Sequence, residues 1–269
     1  MFRYMTMFCL LFAGTVRGQD PALHTLSATT LGRGTLEIGL GTEYLEKARP
    51  PSSSDAFSES RLFITAVHLG VADNVDLNFD WRGVLIAGFK HARDDYDWGD
   101  LIVSNRIRLF HDAGNVYTFG LLSAVKLPNT MYRPLMLGSN QTDYMFVGLF
   151  TAQFQQATIS VNGGLSIVGD PVVVGKQDDV FFLKTAAVVP VMTDVRLFAE
   201  LYGFTGYLDN DDKLVFYYGA TMQSSTFSFH AFGSARLLGT STDFGTGFDG
   251  SQSWSAGVMV SRRFTLSLP

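Results

Sequence analysis

Twelve strand-length runs of alternating oily and polar residues constrain this chain more than any other feature, and the connections between them are by turns long and short. The run VDLNFDWRGVL (75–85) shows the pattern: Val75, Leu77, Phe79 and Trp81 fall on one face of a strand, and Asp76, Asn78, Asp80 and Arg82 on the other. The runs lie at roughly 36–46, 60–70, 74–86, 99–110, 116–127, 142–154, 157–168, 179–189, 195–204, 213–223, 226–238 and 252–264. Most hold about 10 to 13 residues, whereas strands of soluble sheets cluster near 5 or 6. A tilted strand needs about 9 to 11 residues to cross a bilayer.

The long connections are 47–59, 87–98, 128–141, 169–178, 205–212 and 239–251; the short ones are 71–73, 111–115, 155–156, 190–194 and 224–225. Strict alternation of this kind predicts an all-β, single up-and-down antiparallel transmembrane barrel of about 12 strands, with long outer loops and tight periplasmic turns. An even strand number puts both ends of the barrel on the periplasmic side.

In such a barrel the oily face meets lipid and the polar face lines the lumen. Ala157, Ile159, Val161, Leu165 and Ile167 alternate with Thr158, Ser160, Asn162 and Ser166; Val195, Leu197, Ala199 and Leu201 oppose Arg196 and Glu200; Phe227, Phe229, Ala231, Ala235 and Leu237 oppose Ser228, His230, Ser234 and Arg236. The oily set carries charge only near strand ends, at Arg61 and Arg262, consistent with the cost of about 2–4 kcal/mol for a Lys or Arg facing mid-bilayer. Outward aromatics gather toward strand ends, at Tyr44, Trp81, Tyr117, Phe154, Phe181, Trp254 and Phe264, as interfacial belts do. Run 142–154 is apolar on both faces, so alternation does not orient it.

The N-terminus reads as an export signal: Arg3, then the apolar MTMFCLLFAG (5–14), then Val16-Arg17-Gly18 before a cut at Gln19. The expected organisation is a signal peptide at 1–18, removed on export, a periplasmic N-terminal segment at 19–34 and an outer-membrane barrel at 35–269. The single cysteine, Cys9, falls in the signal, so the mature chain has neither disulfides nor thiolate chemistry. No later segment has 18 consecutive apolar residues, which excludes helical spans. The net charge of −5 offers no basic patch for nucleic acid.

The inward charges are mixed: Glu37, Glu43, Asp76, Asp80, Arg82, Asp100, Arg106, Arg108, Lys126, Lys184, Arg196, Glu200 and Arg236, with His230 among them. Centring the tight turns on Ala72, Ala113 and Met192 sets His68 opposite Asp76, Asp100 opposite Lys126, and Lys184 opposite Glu200; across the loop 87–98, Asp80 faces Arg106. Opposed charges of this kind stabilise an antiparallel pair. They equally suit a polar conduit, in which charged rings and width set selectivity.

A barrel-embedded hydrolase would need a serine, a histidine and an acid or amide converging at the rim. Of His24, His68, His91, His111 and His230, only His68 and His230 lie well inside strands, and His91 with Asp94 and Asp95 reads as a solvated loop. No cluster has metal-ligand spacing. The expectation is therefore no catalysis, no cofactor and no metal.

Four fragments resemble the outer-membrane family of the meta-cleavage (MetA) pathway of phenol degradation: GDLIVSNRIRL (99–109), KLPNT (126–130), TDYMFVGLF (142–150) and FAELYG (198–203). Met131 stands where that family usually has glycine after the threonine. The resemblance spans about 35–264 and implies an outer-membrane barrel that passes small aromatic or other hydrophobic compounds; it brings no catalytic residues. The expected partners are outer-membrane lipid and a small hydrophobic or aromatic solute, with the barrel acting as a monomer and a narrow channel. The alternative is a closed barrel serving as an envelope scaffold or binding partners through its long loops, or, further off, a hydrolase.

Overall fold

The computed structural model describes residues 24–46, 59–88, 95–97, 99–114, 116–128, 141–169, 177–205, 213–238 and 253–266. The expected signal peptide and much of the long connections lie outside these residues. Thirteen strands follow in chain order: β1 (Thr35–Glu46), β2 (Glu59–Ala72), β3 (Val75–Gly88), β4 (Asp95–Asp97), β5 (Leu101–His111), β6 (Tyr117–Leu127), β7 (Asp143–Gln153), β8 (Thr158–Gly169), β9 (Gln177–Pro190), β10 (Val195–Thr205), β11 (Lys213–Gln223), β12 (Phe227–Leu238) and β13 (Trp254–Thr265). Every neighbour is antiparallel, and β1 pairs with both β2 and β13, so the sheet closes on itself.

The short β4 is not a thirteenth stave. Asp97 faces Val84 and Leu101 faces Trp81, both on β3, so four residues on one side match three on the other. β4 and β5 are thus two pieces of one stave around a bulge-like irregularity, and the barrel has twelve. Every expected run end falls within two residues of an observed one.

Alternation of burial follows the pleat. In β6, Thr118, Gly120, Leu122, Ala124 and Lys126 are buried inward while Tyr117, Phe119 and Leu121 are exposed outward. β7, which its sequence left without an orientation, turns Met145, Val147, Leu149 and Thr151 inward and Tyr144 and Phe146 outward. The inward face of this wall is apolar, which is why alternation could not be read there.

The outward face is an apolar band with aromatic ends. At the short-turn end Phe110, Tyr117, Phe119 and Phe150 form a contiguous ring cluster; at the other end Tyr44 packs on Trp254. The Arg262 guanidinium lies 4.9 Å from the ring centroids of both Phe227 and Phe264, so its charge rests on aromatic faces near the band's edge. A polar pair also faces outward: Ser123 Oγ donates to Asn105 Oδ1 at 3.1 Å, each satisfying the other where lipid cannot.

Inside, three phenylalanines repeat one device. Phe182, Phe198 and Phe232 each stand opposite a glycine of the next strand: Gly164, Gly219 and Gly257. A Cβ on any of these glycines would come within 2.7 Å of the facing ring and within 2.8 Å of a neighbouring backbone carbonyl oxygen, so ring and backbone together use the space the missing side chain leaves. Ile64, Val188, Phe198 and Phe232 belong to one packed cluster. β2 and β9 stand six places apart in the twelve-stave ring, so this cluster reaches across the lumen between opposite walls.

Candidate functional site

Residues 24–34 enter the barrel from the short-turn end and climb its lumen. Of the segment expected at 19–34, residues 24–34 are described, and His24, Thr25, Ser27, Ala28 and Thr30 among them are buried. Gly32 and Gly34 adopt φ of +87° and +77°, a left-handed conformation that glycine takes without a Cβ clash. This lets the chain reverse from β1 into the interior. Gly70 allows the close passage, since a Cβ there would stand 1.8 Å from the Gly32 carbonyl oxygen.

An irregular segment inside a barrel has no ladder to satisfy its backbone, so side chains from the wall must do so. The Leu31 N–H donates to Asp76 at 3.0 Å, and the Ala28 N–H donates to Thr151 Oγ1 at 2.9 Å. Asn162 both accepts from the Leu26 N–H and donates to the Leu26 carbonyl. Glu200 Oε2 accepts from the N–H groups of His24 and Thr25 at 2.9 and 2.8 Å. Arg106 donates to the Ser27 carbonyl at 3.1 Å and is fixed on Asp76 through Nε at 3.0 Å and Nη2 at 2.7 Å. Ala28 packs on Leu122, Ala124, Met145, Val147 and Leu149. The His24 ring lies 4.2 Å from that of Tyr217.

The expected lumen residues therefore divide. Asp76, Arg106 and Glu200 hold the N-terminal segment rather than line an open bore. Asp80 pairs with His68 at 3.0 Å. Lys126 is buried between Asp100, at 3.5 Å, and Asp143. Arg108 lies at the short-turn rim, donating to the Asp73 carbonyl at 3.1 Å, and Arg196 is half-buried near the same end. His230 is buried and hydrogen-bonded with Thr221 at 3.0 Å. Lys184 packs over Tyr202 and Phe182, 4.3 and 5.5 Å from their centroids. Glu37 pairs with Arg263 at 3.1 Å and Glu43 is buried. The Arg82 side chain lies outside the described residues.

The expected opposite pairs kept their face but not their register, although Asp100 and Lys126 still form an ion pair. His68 registers with Asn78, Lys126 with Ile102, and Lys184 with Tyr202. Each tight turn is thus centred one residue later than supposed, on Asp73, Gly114 and Thr193. Arg106 faces Asp76 instead of Asp80, which centres that loop on residue 91 instead of 93. Face parity survives such slips, whereas opposed partners move by two at each tight turn and by four across the longer loop.

Beside the N-terminal segment lies a cavity of about 210 Å³. Ile64, Ala66, Ile102, Leu122, Ala124, Met145, Val147, Phe182 and Met259 give it an apolar lining; His24, His68, Asp80, Arg106, Lys184 and His230 mark its polar edges. Sequence reading missed both the plug and this lining. The available signal was an uncharged stretch, PALHTLSATTLG (21–32), leading into Gly32-Arg33-Gly34 just before the first strand. Among the described residues no group of three or more His, Cys, Asp or Glu is placed to hold a metal ion.

No protein-family model matches the chain, and no curated protein is detectably similar to it in sequence. Its fold is similar to several solved barrels. The COG4313 outer membrane channel from Pseudomonas putida F1 superposes with a TM-score of 0.68 at 13% identity, over 90% of this chain and 100% of that one. The NanC porin gives 0.57 at 8% identity over 87% and 100%. The translocator domain of the autotransporter NalP from Neisseria meningitidis gives 0.54 at 12% identity over 97% and 96%.

Proposed function

We propose that this protein is an outer-membrane channel for small hydrophobic or aromatic solutes, exported by a cleaved signal peptide and acting as a monomer, with its own N-terminal segment as the constriction. The observation that carries the reading is the apolar inward wall of β2 and β5–β7. Ile64, Ala66, Ile102, Leu122, Ala124, Met145 and Val147 line the cavity, where a channel for sugars or ions would present polar groups. The outward apolar band with aromatic ends supports the membrane location. The similarity in fold to an outer membrane channel and a porin supports a conduit. The resemblance to the MetA-pathway family rests on its fragments, and it agrees with this solute class.

Three of the four fragments meet in space, in a way that fits a channel wall better than an enzyme. Asp100, Lys126 and Asp143 come from three of them and form one ion cluster; Glu200 comes from the fourth and holds the plug. The partner-binding alternative rests on the long loops at 47–59 and 128–141, most of which lie outside the described residues.

Planar-bilayer conductance of the purified, folded chain, with and without residues 19–31, tests the reading. Small discrete steps that enlarge when the segment is removed are expected, together with slower uptake of dilute small aromatics by a deletion strain. A silent bilayer for both forms and no uptake defect would overturn it.

A further inference from the structure

We infer that the cavity holds a site for a neutral solute with a hydroxyl on an apolar body, the hydroxyl bonded to His230 Nε2 and the body lying on the wall of β5–β7. This rests on the reading of the lumen as a solute path and names the solute's polar end.

Most polar side chains around the cavity are already engaged. Asp80 is bonded to His68, Arg106 to Asp76, Asn78 to Ser104 at 3.2 Å, and Asn162 to both backbone polar groups of Leu26. His230 is engaged on one side only. Its Nδ1 lies 3.0 Å from Thr221 Oγ1, while its Nε2 has no hydrogen-bond partner among the described residues. That nitrogen is not sealed inside the wall either, since the residue is 8% exposed and borders the cavity. A polar group held in an apolar lining without a partner is costly, so a solute that bonds Nε2 recovers that cost.

The bond between Nδ1 and Thr221 can run either way. If the hydroxyl donates, Nε2 carries the ring proton; if Nδ1 donates, Nε2 is an acceptor. A solute hydroxyl meets both cases because it donates and accepts. A carbonyl or ether meets only the first, and an ammonium only the second. The apolar requirement comes from the facing wall. β12 and β6 stand six places apart in the ring of staves, so His230 borders the cavity from the side opposite Leu122 and Ala124, with Ile102, Met145 and Val147 beside them. An apolar cavity of about 150 Å³ takes up benzene, so about 210 Å³ accommodates one ring with a short hydroxyl-bearing arm. A polyol would leave further hydroxyls unpaired against this wall, and such groups are costly.

Isothermal titration of the folded chain in detergent tests this with 2-phenylethanol and its hydroxyl-free isostere propylbenzene. Each compound is compared between wild type and variant, so its partition into detergent cancels. His230→Phe keeps a ring and removes Nε2; it is expected to weaken the alcohol about tenfold, as an unpaired buried hydroxyl implies, and to leave propylbenzene unchanged. His230→Gln, whose amide reaches the position of Nε2, should retain most of the affinity for the alcohol. No binding of the alcohol by the wild type overturns the proposal, as do equal losses for the two compounds or undiminished alcohol binding in a folded His230→Phe chain. Should His230→Phe fail to fold, the nitrogen NMR signal of His230 Nε2 in the wild type decides: the alcohol should move it and propylbenzene should not, and equal effects overturn the proposal. Hydroxyl-dependent binding in a protein silent in the bilayer would remove the channel reading and keep the site; conductance without it would do the reverse.

Discussion

The side-chain amide of Asn162 closes on both backbone polar groups of Leu26: its Oδ1 accepts from the Leu26 N–H at 2.7 Å and its Nδ2 donates to the Leu26 carbonyl at 2.8 Å. One side chain thereby does for the plug what a neighbouring strand does for the wall. Asn162 is 2% exposed, so losing it leaves a buried donor and acceptor behind, at about 1–3 kcal/mol each. Asn162→Ala should loosen the N-terminal segment without unfolding the barrel. The measurement is maleimide labelling of a cysteine introduced by Thr25→Cys, which should proceed at least about tenfold faster in the Asn162→Ala background. Equal labelling rates would mean that the segment is held chiefly by its other contacts.

Lys126 lies between Asp100 and Asp143, all three nearly buried where β6 ends and β7 begins. Removing the cation strands two carboxylates, and breaking a buried pair in this way costs about 3–5 kcal/mol. Lys126→Met should therefore lower the urea midpoint of the folded barrel well below that of the wild type. Adding Asp143→Asn should recover part of the loss. If the double variant proves no more stable than Lys126→Met alone, repulsion between the stranded carboxylates is not the cause.

How much of this was legible in the sequence depends on which physical rule each feature obeys. The staves were legible because a bilayer fixes their length and the pleat fixes their period, so Leu77 against Asn78 or Val161 against Asn162 could be assigned to faces directly. β7 was not, because Met145, Val147 and Leu149 face an apolar lumen and Phe146 faces outward, leaving no contrast to read. Opposed partners were missed by two residues because the centre of a tight turn is set by local hydrogen bonds such as Met192 with Val195, to which alternation is blind. The plug was missed for a different reason. A segment bonded by Asp76, Thr151, Asn162 and Glu200 has no period of its own, and its only local marks are Gly32 and Gly34.

The outward and inward faces should differ in their tolerance of charge. Leu121 is 49% exposed on the outer face of β6, near its middle, and Leu121→Lys should cost about 2–4 kcal/mol in a bilayer. Ile102 borders the cavity, where a lysine stem can lie along the lining with its ammonium directed to the polar edge. Heat-modifiable migration on a gel should be lost or weakened for Leu121→Lys and kept for Ile102→Lys. The opposite result would mean that the faces of β5 and β6 have been assigned inside out.

Asp112 caps the turn between β5 and β6, accepting from the Tyr117 N–H at 2.7 Å and the Gly114 N–H at 3.1 Å. The Tyr117 bond, with the Gly114 bond behind it, holds the Asp112 carboxyl below its ordinary range against a smaller opposing effect of burial. A lowered carboxyl contributes order that is present above the unfolded value of about 3.9 and lost as pH falls through the folded one. The amide shift of Tyr117, followed by NMR in detergent, should titrate with a midpoint below about 3.9. Asp112→Asn should remove the titration. A midpoint above that value would show that these bonds do not favour the ionised form.

Phe232 and Gly257 make the sharpest test of the packed lumen, because each explains the other. A Cβ on Gly257 would stand 2.3 Å from Phe232 Cζ, so Gly257→Ala must push the ring off the neighbouring strand into the cluster with Ile64, Val188 and Phe198. Such overpacking costs about 1–3 kcal/mol, while Phe232→Ala alone opens a cavity at about 3–5 kcal/mol. In the double variant the alanine at 257 meets no ring and keeps only its 2.8 Å approach to the Thr42 carbonyl oxygen, so most of the overpacking cost disappears and the cavity dominates. The two changes should therefore be non-additive, with the double variant about as stable as Phe232→Ala alone when unfolding is followed in urea. Strict additivity would show that Gly257 is required by its own backbone rather than by the ring across from it, and the shared explanation of Phe182 on Gly164 and Phe198 on Gly219 would fall with it.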